Sequence, residues 1–137
     1  MSYATASALQ AALYDRLTGD VAVTGLVGTD IYDGIPAGTI PPLYLSLGEE
    51  TVADRSDKDG PGARHDVTLT IVTQANGFAT AKALAGAVSD ALLATPLILS
   101  RGHLAGLWFR GATAKRVQKS GTRRIDLRFR AQIHDTL

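Results

Sequence analysis

Eight cations crowd the end of the chain: Arg110, Lys115, Arg116, Lys119, Arg123, Arg124, Arg128 and Arg130. Guanidinium and ammonium groups at that density meet either phosphates or carboxylates. Two antiparallel strands joined by Lys119-Ser120-Gly121-Thr122 would gather all eight on one surface. Reading bases would require aromatic platforms, and only Trp108 and Phe109 lie near, with Phe109 expected in the core. Three readings of the cations stand: a phosphate-backbone contact, a salt-bridged contact with the acidic loop of a neighbouring copy, or a solvated strand face. Charge along the chain favours a contact. Residues 1–100 hold 5 Lys/Arg against 11 Asp/Glu, a net −6, whereas residues 101–137 hold 9 against 2, a net +7. Such asymmetry supplies complementary patches between copies, or a surface for an acidic partner. The candidate subunit-interface residues are Asp54, Asp57, Asp59, Arg64, Arg116, Arg124, Arg128 and Arg130.

Other chemistry is sparse. Between Arg55 and Asp66, the residues Asp57, Asp59, Gly60 and Asp66 stand at the third, fifth, sixth and last places of a calcium-binding loop of the EF-hand type. Arg55 puts a cation at the first place, Asp66 replaces the bidentate Glu, and the flanks read as strands, so a solvated polar loop is the better description. His65, His103 and His134 are scattered singly, without the helical pairing that metal ligation uses. There is no cysteine, which removes disulfides, thiolate metal sites and cysteine nucleophiles together. No nucleophile elbow or phosphate loop occurs. No catalytic, cofactor-binding or metal-binding residue is assigned, and no cofactor is expected.

The basic residues need a scaffold, and the last strand provides it. Ile125, Leu127, Phe129, Ala131 and Ile133 alternate with Arg124, Asp126, Arg128, Arg130, Gln132 and His134. Side chains of a strand point to opposite faces in turn, so one face is apolar and one is basic. Two main helices are expected to cover the apolar face. The first runs from Ser2 to Leu17, with Ala6, Leu9, Leu13 and Leu17 in one stripe, Ser2 or Thr5 as cap and Gly19 as its end. Asp20 caps a short helical turn anchored by Val21, Val23, Leu26 and Val27. The second spans Phe78 to Ala94 and stops at Pro96.

Between the helices, Ile31-Tyr32 is a short extended piece and Leu43 to Leu47 alternates as a strand. Residues 49–64 are the least hydrophobic stretch and read as a long, mobile loop. His65 to Thr73 returns as a strand, with Val67, Leu69 and Ile71 inward. Leu104 to Val117 is a further strand with an irregularity expected at Gly106 or Gly111. The expected fold is α+β: a single, mainly antiparallel sheet of four to five strands with two main helices packed on one face. At 137 residues the chain is expected to be one domain, without a signal peptide and without an apolar run near the ~20 residues of a membrane span.

The order of short segments resembles a known family. After the Ala- and Leu-rich first helix come Leu26-Val27-Gly28-Thr29-Asp30-Ile31-Tyr32-Asp33, then Ile35-Pro36 and Pro41-Pro42-Leu43-Tyr44-Leu45-Ser46-Leu47-Gly48. Asp57-Lys58-Asp59-Gly60 precedes Ala63-Arg64-His65-Asp66-Val67-Thr68-Leu69, and Arg124-Ile125-Asp126-Leu127-Arg128-Phe129-Arg130 closes the series. Over nearly its full length the chain resembles the tail terminator, or tail completion, proteins of long-tailed phages and gene transfer agents.

The resemblance implies a structural, non-enzymatic protein of the head–tail junction, assembled in the bacterial cytoplasm. It implies a homo-hexameric ring that caps the tail tube, contacts the tail tube protein and the head–tail connector (stopper or adaptor), and passes DNA through its hole without sequence-specific binding or any membrane. A ring needs head-to-tail contacts between unlike patches, which the uneven charge can supply. A DNA conduit lined by sticky cations would slow passage, so the basic strand face is expected in protein contacts rather than in the lumen. Residues 49–64 can then order on assembly. A nucleic-acid-binding accessory protein using Arg124, Arg128 and Arg130 is the alternative, and an enzyme with dispersed carboxylates is a third reading that has no site signature.

Overall fold

The computed structural model describes residues 3–56 and 60–135. Its elements run α1 (Ala6–Thr18), α2 (Val21–Val27), β1 (Ile31–Asp33), β2 (Leu43–Asp54), β3 (Gly62–Thr73), α3 (Ala79–Ala94), β4 (His103–Val117) and β5 (Thr122–His134). This is the expected α+β fold.

The helices follow the apolar stripes. Leu9, Leu13 and Leu17 of α1 are spaced by one turn and fully buried. Thr5 occupies the position before α1 but makes no side-chain cap there; its hydroxyl faces His65 instead. Ser2, the other expected cap, lies outside the described residues. Asp20 does cap α2, its carboxylate accepting the Val23 N–H at 3.0 Å. Of the four apolar residues expected to anchor α2, Val23 and Val27 are buried, while Val21 is 85% and Leu26 39% exposed. A two-turn helix can direct only one i, i+4 stripe inward.

The five strands form one sheet in the order β1-β2-β3-β5-β4. Three pairings are antiparallel and β1 lies parallel to β2, so the sheet is mixed. β5 is an interior strand, between β3 and β4, and its apolar residues Ile125, Leu127, Phe129, Ala131 and Ile133 are all buried. They meet Val67, Leu69 and Ile71 of β3 and Leu9, Leu13, Leu84, Val88 and Leu92 of the helices in one core cluster. Among the described residues no helix packs on the opposite face of the sheet.

Two expectations change. The described part of residues 49–64 is mostly strand, not one long loop: β2 continues to Asp54 and β3 begins at Gly62, while 57–59 lie outside the described residues. Glu49, Thr51 and Ala53 of β2 pair with Thr68, Asp66 and Arg64 on the open face, where polar side chains are at no disadvantage. Beneath them, Glu50 lies beside a polar cluster of Tyr3, Thr5 and His65 under the start of α1. Low hydrophobicity therefore marked a wet sheet face rather than a loop. Phe109 is the second change. It packs edge-on against Phe129, with centroids 5.7 Å apart, yet 47% of it is exposed on the edge strand β4.

Candidate subunit interface

Cross-strand register divides the basic residues between two faces. Arg124, Arg128 and Arg130 project from the open face of β5 with Asp126, and Lys115 stands opposite Arg124. Arg116 and Arg123 face each other on the helix side. Arg123 donates to the Ala75 carbonyl at 2.9 Å and covers the Phe78 ring. The single basic surface expected from sequence is therefore split, because residues one apart on a strand point in opposite directions.

Most open-face cations are already engaged. Arg130 Nε donates to Asp66 Oδ1 at 2.8 Å, and Arg64 Nε lies 3.4 Å from Asp66 Oδ2. Arg124 Nε donates to Asp126 Oδ1 at 2.9 Å, and Thr70 donates to the same oxygen at 2.8 Å. Arg128 donates to the Thr113 hydroxyl at 3.1 Å and lies across Gly111, where an added Cβ would stand 2.9 Å from its guanidinium. Trp108 likewise lies over Gly106 and remains 50% exposed. A groove of about 760 Å3 opens on this face, with Glu49, Glu50 and Asp66 among its acidic lining and Arg110, Arg128 and Arg130 its basic lining. Asp54 closes the end of β2, accepting from the Ser56 N–H and hydroxyl, which hold its carboxyl below the usual range. Asp57 and Asp59 lie outside the described residues.

Two features were not legible as site features. The first is the electrical polarity of the sheet. β1 and β2 carry Asp33, Glu49, Glu50 and Asp54 and no Lys or Arg; β4 carries Arg110, Lys115 and Arg116 and no Asp or Glu. These strands are the opposite sides of the sheet. The halves of net −6 and +7 in the sequence were its only signal.

The second is the His65 cluster. His65 is fully buried, its Nε2 is 3.3 Å from the Thr5 hydroxyl, and its Nδ1 is 3.6 Å from Glu50 Oε2. Tyr3 donates to the other Glu50 oxygen. A hydroxyl, an imidazole and a carboxylate in a row suggest nucleophilic chemistry, but Thr5 is also fully buried and no substrate can reach it. The arrangement ties α1 to the sheet. Among the described residues no cluster of His, Asp or Glu is placed to hold a metal ion. No described helix is long and apolar enough to cross a membrane.

The Tail completion protein gp17 family profile matches residues 11–134. The chain belongs to this family. Its fold and sequence are also similar to a chain in a solved structure described as the virion of a native gene transfer agent particle. The two share 56% identity at a TM-score of 0.91, covering 97% of this chain and 99% of the other. Among curated proteins none matches. As a tail completion protein the chain is a structural component of a phage-like tail, and its place is the particle. The order of segments from Leu26 to Arg130 was enough to place the family from sequence.

Proposed function

We propose that this tail completion protein forms a homo-hexameric ring at the head–tail junction, caps the tail tube and joins it to the head connector, with DNA passing through the hole. Its role is structural and non-enzymatic. The observation that carries this reading is the 56% identity, over 97% of the chain, to a component of a gene transfer agent virion. The polar sheet supports it, since head-to-tail rings require two unlike, complementary patches. Asp54, Arg64, Arg116, Arg124, Arg128 and Arg130 remain the interface candidates, together with Asp57 and Asp59. Pairing of Arg124 with Asp126 and Arg130 with Asp66 weighs against the alternative of a phosphate-binding accessory protein.

Electron microscopy of particles carrying a labelled copy tests the reading. Density for a hexamer between tube and connector is the expected result. Deleting the protein should leave heads and tails unjoined. Normal, joined particles without it would refute the proposal.

A further inference from the structure

We propose that neighbouring copies in this ring join by sheet addition: β4 of one copy lies antiparallel against β1 and the Glu49–Ala53 part of β2 of the next. The inference rests on the ring reading above.

β4 is a 15-residue edge strand in which only Leu104 is buried. One side pairs with β5, and among the described residues no strand pairs with the other. Trp108 and Phe109, consecutive and so on opposite faces, are each about half exposed, at 50% and 47%. Long exposed edges invite pairing, and soluble proteins shorten, charge or cover them. Bulges near Gly106 and Gly111 narrow the choice of partner, but they cover nothing.

The other side of the sheet offers the complement. β1 spans three residues and pairs with Leu45, Ser46 and Leu47, and among the described residues no strand pairs with Glu49–Ala53 of β2 on that side. Direction fits as well. β2 is antiparallel to β3, β3 to β5 and β5 to β4, while β1 is parallel to β2. So β4 runs opposite to both β1 and β2. A rotation axis along the strands carries a copy to its neighbour without reversing strand direction, and the joint is then antiparallel.

Charge fits the same alignment. Gly111 is level with Arg128, Thr68 and Glu49, and Phe109 is level with Phe129, Val67 and Glu50. Arg110, between them, is level with the acidic pair on the far side of the sheet. Lys115 opposite Arg124 and Arg116 opposite Arg123 bring like charges together, which is unfavourable and is offset at Arg124 by Asp126. Ile31 at the start of β1 is level with Leu45, Ile71, Ile125 and Ala114, so Asp30, one residue before it, comes level with the neighbour's Lys115.

The chain has no cysteine, so introduced thiols report contacts cleanly. Arg110→Cys is combined in turn with Glu49→Cys, Thr51→Cys or Ala53→Cys, which covers the register. Within one copy these positions are three strands, about 14 Å, apart, beyond disulfide reach. Particles carrying each double variant are oxidised and run without reductant. The expected result is a ladder of covalent multimers for at least one combination, and none for the single variants. Reversing one charge, by Arg110→Glu or Glu49→Arg, should lower incorporation into particles about tenfold, and combining the reversals should restore it. Double variants that assemble into particles without any ladder overturn the edge pairing and leave the ring intact. Wild-type protein that is absent from particles overturns the ring itself.

Discussion

His65 shows what burial does to a titratable side chain. Burial lowers its pKa from the ordinary 6.5, against the opposing pull of Glu50. The folded chain therefore holds the imidazole neutral at a pH where the unfolded chain has begun to protonate it. Stability is unaffected by this group well above pH 6.5, falls as pH drops below that value, and stops falling once the folded pKa is passed. Urea unfolding between pH 7.5 and 5 should show this loss, and His65→Gln should flatten the slope whatever it does to stability at neutral pH. The Phe109–Phe129 pair separates burial from contact. Phe129 is fully buried, so Phe129→Ala should cost about 3–5 kcal/mol. Phe109→Ala loses a half-exposed ring and one aromatic contact, and should cost only about 1–2 kcal/mol in the isolated chain. Denaturation midpoints of the two variants check the ordering.

At the scale of elements, Arg16 joins α1 to the end of α3. It donates to the carbonyls of Ala91 and Thr95, each at 2.9 Å, and of Pro96 at 3.3 Å. These groups lie at or just beyond the end of the helix, where carbonyls lack partners and a cation complements the dipole. Arg16→Ala should destabilise the fold by about 1–3 kcal/mol, and Arg16→Lys should recover only part, because an ammonium lacks the planar fork. Thermal melts of both variants decide this. Nothing in the sequence marked Arg16, since its partners are 75 to 80 residues away. Gly106 is the reverse case, a glycine flagged as a strand irregularity and found beside a bulge. A Cβ there would come within 2.4 Å of the Trp108 ring. Gly106→Ala should lift the ring into solvent and red-shift the emission of the chain's one tryptophan.

The whole molecule is a charged plate, acidic along β1 and β2 and basic along β4. The proposed ring contacts between such edges should weaken as salt screens them, over a Debye length of about 10 Å at 0.1 M. The assembled fraction, measured by analytical ultracentrifugation, should fall as sodium chloride rises from 0.05 to 0.5 M. A purely apolar interface would not respond in that direction.

Much of this was legible in the chain because strand and helix periodicities are local. Alternation marked β3 and β5, a stripe of leucines marked α1, glycines marked the irregularities of β4, and the order of segments marked the family. The interface candidates were only partly legible: the cations were plain, their division between two faces was not. Sequence alone could not say which strands are neighbours, because pairing of β3 with β5 joins segments 56 residues apart, as Thr70 and Asp126 show. It could not say that 49–54 is strand, because polar side chains suit a sheet face that no described helix covers. Nor could it say that β4 ends the sheet, half bare, because an edge is defined by the absence of a neighbour, and only the folded chain decides where its neighbours run out.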